Sequence, residues 1–137
     1  MVILKPLMLE SNKQKFNHLK IHSQYSICHG AVKIEKLKDF CKERKIQAVG
    51  LSDTSNLCGS LEFAENISKV GTQPIIGTQI NFKFEDTIGL LPLISLNEDG
   101  YKRIVELSSK SYLDNDTARE PHCDIVELYK NNKGILI

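Results

Sequence analysis

Three of the four histidines of this chain fall within residues 18–30, which read HLKIHSQYSICHG. If this stretch is extended, the alternation of its side chains places His18, Lys20 and His22 on one face. Two imidazoles on one face are what a metal or phosphate site requires. Lys20 argues against a metal, because a cation between two ligands repels a divalent ion. Spacing alone favours the plainer interpretation, in which His18 and Lys20 face solvent or close the end of a barrel.

Asp53 is the second candidate for chemistry, because it follows a short apolar run, residues 46–52 (IQAVGLS), that fits a strand buried on both faces. A carboxylate at the end of a buried strand can bind a metal or act as a general base. The polar turn that follows supports a plainer alternative, in which Asp53, Ser55 or Asn56 caps the next helix. From spacing alone the helix cap is favoured.

The elements that would position these side chains alternate along the chain. Strand patterns occur at residues 16–22, 46–52, 75–84, 90–96 and 134–137. Helical patterns occur from Gly30 onward and at residues 61–70, 99–113 and 124–129. This alternation predicts an α/β fold, with a parallel sheet or barrel and helices outside it. Ligands in such folds bind at the carboxyl ends of strands, which here carry His22, Asp53 and the region of Gln79. The chain stops on an apolar strand, so we interpret it as part of a larger fold.

Length and composition exclude several classes of protein. The chain has 137 residues, of which 41% are apolar and 26% charged, so it is one domain that can bury a core. It has no apolar run long enough for a bilayer and no export signal, which predicts a cytoplasmic protein with no membrane partner. Four scattered cysteines lack metal-ligand spacing and are expected to be reduced, small buried side chains.

Charge is distributed unevenly along the chain. Residues 1–45 have a net charge of +6 and residues 46–137 a net charge of −5. The basic segment suits an acidic partner or a phosphate backbone, although a solvated helix face explains the charge more simply. Residues 1–15 are treated as a leader outside the fold.

Several motifs, in order, resemble the PHP (polymerase and histidinol phosphatase) domain at the amino terminus of bacterial DNA polymerase III alpha subunits. They read HLKIHSQYS from residue 18, GAVKI from residue 30, AVGLSDTSNLCGSLEF from residue 48 and QPIIG from residue 73. The resemblance covers residues 16–137. It implies that they form the first part of a PHP-type distorted (β/α) barrel, with parallel strands and outer helices. The rest of the domain and the polymerase core would lie outside this chain.

The resemblance also implies which residues stand where active members of the family bind metal. These vestigial positions are His18, Lys20, His22, His29, Asp53, Thr54, Gln79 and Leu90. Of these positions, His22 and Asp53 keep the kind of ligand that the family has, and His29 stands where the family has an acidic residue. A multi-metal phosphoesterase site needs several imidazoles and carboxylates, which Lys20 and Leu90 cannot supply. We therefore expect no metal, no cofactor and no catalytic residue in this chain, with Mg²⁺ serving only the parent polymerase.

The function implied is that of a PHP domain that has lost its metal chemistry within a replicative DNA-directed DNA polymerase. It would act as a scaffold and as a docking surface for the proofreading exonuclease subunit. Other replicase subunits would be further partners, and DNA would be bound through the parent polymerase. In this hypothesis the ammonium group of Lys20 lies beside Asp53 in place of a missing cation.

Two alternatives come from the enzyme class. In the first, the domain is a metal-dependent phosphoesterase or 3′–5′ exonuclease that uses His18, His22, His29 and Asp53 as a reshaped site. The second and weaker alternative is an unrelated small α/β phosphatase.

Overall fold

The structure is a computed structural model that describes residues 16–115 and 120–137, so the predicted leader at residues 1–15 lies outside the described residues. The helices are α1 (Ile34–Arg44), α2 (Ser60–Ser68), α3 (Glu98–Leu113) and α4 (Ile125–Lys130). The strands are β1 (Ala48–Thr54), β2 (Gln73–Phe84), β3 (Thr87–Ser95), β4 (Cys123–Asp124) and β5 (Ile135–Leu136). Each of these elements except β4 overlaps a segment of the type that the sequence pattern predicted.

The sheet has the strand order β1-β2-β3-β5, with β4 beside β2. The pair β1 and β2 is parallel, as expected, and so is the pair β2 and β4. The parallel expectation was wrong for two other pairs, because β3 runs antiparallel to both β2 and β5. For β2 and β3 the reason is their connection, which has only two residues and cannot hold the crossover that parallel strands need. Glu85 in this turn has a φ of 52°, as tight hairpin turns require.

The predicted first strand, residues 16–22, is not a regular strand. It follows the edge of β1 through one isolated parallel bridge, at Ile21. Gly50 permits this close approach, since a Cβ there would lie 2.6 Å from the carbonyl oxygen of Leu19. The amide of Ser23 then donates to the side chain of Asp53 and not to a backbone carbonyl of β1, so regular pairing with β1 does not continue past Ile21.

Both apolar clusters of the core lie on one face of the sheet. The register places Val49 and Leu51 of β1 on the same face as Ile80 and Phe82 of β2. The first cluster, under α1 and α2, contains Ile34, Leu37, Cys41, Val49, Leu51, Phe63 and Ile67. The second, under α3 and α4, contains Ile80, Phe82, Leu93, Ile104, Leu107, Cys123, Leu128 and Ile135. The opposite face of the sheet carries Thr54 and Gln79, which enter the candidate site.

All four cysteines are free thiols, as the sequence predicted, but only Cys41 and Cys123 are buried. Burial raises the pKa of the Cys123 thiol to about 11 and also raises that of Cys41. Cys28 and Cys58 are exposed, so the expectation of buried cysteines holds for two of the four.

Charged side chains join α3 to α4. Arg103 is only 8% exposed; it pairs with Glu106 at 2.7 Å and donates from Nε to the carbonyl oxygen of Asn131 at 3.2 Å. Lys110 lies 2.8 Å from Glu127, and its hydrogen bond is the main reason why the pKa of Glu127 falls to about 2. Across the described ranges, no helix has both the length and the apolar character needed to cross a membrane.

Candidate functional site

Asp53 lies near the carboxyl end of β1 and is 1% exposed. Its Oδ1 accepts hydrogen bonds from the backbone amide of Ser23 at 2.6 Å and from the hydroxyl of Ser26 at 2.7 Å. Its Oδ2 accepts from the hydroxyl of Ser23 at 2.6 Å. Three of the roughly four acceptor positions of a carboxylate are thus filled by protein donors. A buried carboxylate with donors at this distance is stable without a neighbouring cation.

The segment that supplies these donors is a compact turn. The amide of Ser26 donates to the carbonyl oxygen of Ser23 at 3.0 Å, and the amide of Gly30 donates to that of Ser26 at 2.8 Å. A Cβ at Gly30 would lie 2.1 Å from the carbonyl oxygen of Ser23, so only glycine permits this packing. The hydroxyl of Ser26 also accepts from the amide of Thr54 at 3.0 Å. The turn is therefore fastened to the end of β1 by side-chain and backbone bonds.

His22 and Gln79 meet on the other side of Ser26. The amide nitrogen Nε2 of Gln79 lies 3.3 Å from Nε2 of His22 and 3.2 Å from the hydroxyl oxygen of Thr54. Nδ1 of His22 lies 3.5 Å from the hydroxyl oxygen of Ser26. Gln79 is 3% exposed, and its Oε1 has no hydrogen-bond partner among the described residues. The register brings these groups together, because Gln79 is the β2 partner of Thr54.

Three further hydrogen bonds hold the turns around Asp53. The hydroxyl of Thr78 donates to the carbonyl oxygen of Asp53 at 2.7 Å. Tyr25 donates from its hydroxyl to Glu62 on α2 at 2.7 Å, and this hydrogen bond to a carboxylate raises the pKa of the tyrosine. Asn56 bridges the two turns, since its Nδ2 donates to the carbonyl oxygen of Tyr25 at 3.0 Å. The cluster is therefore built mostly from neutral hydrogen-bonding groups.

The contact between Lys20 and Asp53 that the sequence predicted is wrong. Lys20 is exposed, and the donors that the structure places on Asp53 are Ser23 and Ser26. The prediction assumed that residues 16–22 form a regular strand. Because they do not, alternation along the segment does not bring Lys20 to the end of β1.

The other predicted site residues divide into two groups. His22, Asp53, Thr54 and Gln79 come together through the hydrogen bonds above. His18 and His29 are exposed. Leu90 is 41% exposed and is the β3 partner of Asn81, two residues beyond Gln79 along β2. Since an antiparallel strand begins where its partner ends, Leu90 still lies toward the carboxyl end of β2.

The helix-cap interpretation of Asp53 is also wrong. The residue at the amino-terminal cap of α2 is Gly59, which provides no side-chain bond. Asn56 accepts from the amide of Cys58 at 3.0 Å, within the turn that precedes the helix. The carboxylate of Asp53 instead accepts from Ser23 and Ser26, which lie 30 and 27 positions earlier in the chain.

Ser23 and Ser26 are the functional residues that sequence reasoning missed. They stand inside the HSQYS motif that begins at His22, but only the histidine was assigned to the candidate site. Serine is too common in turns for its type alone to indicate a role. The feature that could have indicated them is their position in the turn directly after a predicted strand end, where the polar side chains of a binding site come together in this class of fold.

The described residues do not fit a multi-metal centre. Among them, no group of three or more His, Cys, Asp or Glu side chains is arranged to hold an ion. A metal ligand must offer a free lone pair. Protein donors occupy most of the lone pairs of the Asp53 carboxylate, and Nε2 of His22 lies against the side-chain amide of Gln79. The proposed enzyme set of His18, His22, His29 and Asp53 is therefore not brought together as a ligand cluster. That the chain binds no metal remains a prediction.

Comparison with known proteins gives a match over most of the chain. The PHP domain family model matches residues 18–137. The DNA polymerase III subunit alpha of Rickettsia felis is 37% identical over 125 residues, which are 90% of this chain and 10% of that protein. The same subunit of Caulobacter vibrioides is 32% identical over 143 residues, covering 95% of this chain and 12% of that protein. The chain thus spans about a tenth of the length of these relatives.

A solved structure from Bifidobacterium adolescentis, named "putative metal-dependent phosphoesterase", is similar in fold. The TM-score is 0.56 at 17% sequence identity, over 69% of this chain and 32% of that one. At this identity the similarity concerns the fold alone. It agrees with the mixed α/β sheet and with a partial barrel.

Proposed function

The chain belongs to the PHP domain family. From that membership we propose that it is the N-terminal part of the PHP domain of a replicative DNA polymerase III alpha subunit, and that it works without metal chemistry. The similarity to alpha subunits from several bacteria supports the polymerase context. On this proposal DNA-directed nucleotide addition, with its Mg²⁺, belongs to the polymerase as a whole and uses no residue of this chain. The domain contributes structure, in a cytoplasmic replicase.

The observation that carries the non-catalytic part of the proposal is the set of donors on Asp53. A phosphoesterase needs metal ions to prepare a hydroxide and to hold the phosphate. Here Ser23 and Ser26 satisfy the carboxylate with bonds of 2.6 to 2.7 Å, so an ion would have to displace them. Displacement would leave buried hydroxyl and amide groups without partners, at a cost of about 1–3 kcal/mol for each group. The domain is therefore organised for stability rather than for binding ions.

The first experiment measures metal content and hydrolysis. The protein, purified without chelator, is expected to contain far less than one equivalent of zinc or manganese and to leave a labelled primer intact. Asp53→Ala and, as a matched control, Asp39→Ala on the exposed face of α1 are assayed in parallel. Stoichiometric metal with hydrolysis that is lost in Asp53→Ala but kept in Asp39→Ala would contradict the proposal.

The alternative function is a metal-dependent phosphoesterase or 3′–5′ exonuclease with a reshaped site. It has one specific observation in its favour, the fold similarity to the phosphoesterase from Bifidobacterium adolescentis. That similarity does not extend to chemistry, since superfamilies of one fold commonly differ in activity. The assay above separates the two functions directly.

As a partner, we propose the proofreading exonuclease subunit of the same replicase, with the domain as its docking surface. The support is the similarity to replicase alpha subunits, together with the observation that the residues at positions 16–115 and 120–137 bring no cluster of metal ligands together. Titration with the purified exonuclease should give saturable one-to-one binding with a Kd tighter than about 10 μM. Absence of binding at that concentration would remove the docking role and leave the metal result unaffected.

A further inference from the structure

We infer that Gln79 is the residue that keeps His22 from binding a metal, because its side-chain amide occupies the ring nitrogen that an ion would need. This inference rests on the proposed non-catalytic function and deepens it by assigning the exclusion of metal to one side chain. The pairing of donors and acceptors in the cluster of His22, Gln79, Thr54 and Ser26 supports it.

The amide of Gln79 has two protons and two acceptors in reach. One acceptor is Nε2 of His22, at 3.3 Å, and the other is the hydroxyl oxygen of Thr54, at 3.2 Å. An NH₂ group is a donor only, so Nε2 of His22 must be the unprotonated, accepting nitrogen. Its lone pair then points at an amide proton, which takes the place of a cation.

The contacts of Ser26 agree with this proton arrangement. Its hydroxyl proton is donated to Asp53, and its oxygen lies 3.5 Å from Nδ1 of His22. The oxygen therefore faces Nδ1 as an acceptor, which suits a protonated Nδ1. Both contacts of the imidazole indicate the same neutral tautomer, with the proton on Nδ1 and the lone pair on Nε2.

The opposite orientation of the Gln79 amide fits less well. Turning it over would place Oε1 against His22 and Thr54 and leave the buried Nε2 donor without an acceptor. In the present orientation it is the acceptor Oε1 that lacks a partner among the described residues. A buried donor without a partner is rarer in proteins than an under-satisfied carbonyl oxygen. The backbone of Gln79 is also fixed, since its carbonyl oxygen accepts from Ser55 at 2.7 Å.

The test is the ¹⁵N spectrum of the His22 ring, recorded at neutral pH in the 137-residue chain. A bare ring nitrogen resonates well downfield of a protonated one, so the two tautomers are distinguishable. We expect Nδ1 protonated and Nε2 bare in the parent. In Gln79→Glu the introduced carboxylate can only accept, so Nε2 should gain a proton. Gln73→Glu makes the same change at the exposed start of the same strand and should leave the His22 signals as in the parent.

Mn²⁺ is the metal probe, because it prefers oxygen and nitrogen ligands and binds poorly to thiols such as those of the exposed Cys28 and Cys58. Gln79→Met keeps the side-chain length without donors, so Nε2 of His22 loses its amide partner and should no longer show the single protonation state of the parent. Paramagnetic broadening of the His22 signals should therefore require about ten-fold more Mn²⁺ in the parent than in Gln79→Met.

Two results would overturn the inference. The first is a protonated Nε2 of His22 in the parent. The second is that the parent and both Gln79 variants share the same His22 protonation state and the same Mn²⁺ affinity. Either result leaves the proposed function intact if the parent binds no metal. If the parent itself takes up stoichiometric Mn²⁺ at His22, the proposed function falls together with the inference.

Discussion

Ser23 binds both carboxylate oxygens of Asp53, although thirty residues separate the two in the chain. Its amide donates to Oδ1 and its hydroxyl donates to Oδ2, each at 2.6 Å. Hydrogen bonds to a carboxylate are among the stronger ones in proteins. These two bonds hold the irregular segment before α1 against the end of β1. The end of β1 is thereby held by the protein's own donors.

Removing one of the other donors should weaken the domain measurably. Ser26→Ala deletes the 2.7 Å bond to Asp53 and also the acceptor for the Thr54 amide. We expect the free energy of unfolding to fall by about 1–3 kcal/mol, because buried polar groups lose their partners. Urea unfolding measures the change. Ser109→Ala on the exposed face of α3 is the matched control and should stay within about 0.5 kcal/mol of the parent; equal midpoints for the two variants would disprove the role of Ser26.

Lys20 should be replaceable without cost. Its side chain is exposed, and Asp53 receives its donors from serines, so Lys20→Ala should change the free energy of unfolding by no more than about 0.5 kcal/mol. Lys20→His should recover no hydrolysis of a labelled primer, because Thr54, Gln79 and Leu90 are unchanged. A loss of more than about 1 kcal/mol in Lys20→Ala would restore the charge-replacement hypothesis that the structure contradicts.

Acid should weaken the junction between α3 and α4. The hydrogen bond from Lys110, followed by that from Lys130, lowers the pKa of Glu127 from its ordinary value of 4.5 to about 2. A pKa that is lower in the folded state adds stability above about pH 4.5, and this stability is lost as the pH falls toward 2. Urea midpoints measured between pH 6 and pH 2 should therefore decline, and less steeply in Glu127→Gln. Glu43→Gln, an exposed glutamate on α1, should follow the parent curve; a parent-like slope in Glu127→Gln would refute the assignment.

Gly100 should tolerate no side chain. A Cβ there would lie 1.8 Å from the carbonyl oxygen of Gly134, where α3 begins against the segment that leads into β5. Gly100→Ala is therefore expected to reduce the free energy of unfolding by about 1–3 kcal/mol, because backbone must move apart. Gly89→Ala in β3 is the control, since a Cβ at that position meets nothing within 4 Å. Thermal unfolding of the two variants should separate clearly; if it does not, α3 does not pack on Gly134 as described.

Local pattern was enough to predict most elements and the class of fold. Apolar residues three and four apart in α1 and α3 form the faces that the helices bury, and the run before Asp53 is a buried strand. These features depend only on residues that are close in the sequence, so the sequence pattern is sufficient to predict them. The direction of β3 could also have been predicted, since only five residues separate the predicted strands at 75–84 and 90–96, too few for the crossover that parallel strands need.

The tertiary structure decided what surrounds the end of β1. Alternation placed Lys20 on the face of His22, but the close approach of Leu19 to Gly50 breaks the regular pairing on which alternation depends. The same break turns Ser23 toward Asp53. A one-dimensional pattern records which side chains are apolar, whereas a hydrogen bond depends on two groups meeting at about 3 Å with the right orientation. The motifs therefore singled out His22, Asp53 and Gln79 as site positions. Only the folded chain shows that hydroxyl and amide donors occupy lone pairs of Asp53 and the Nε2 position of His22.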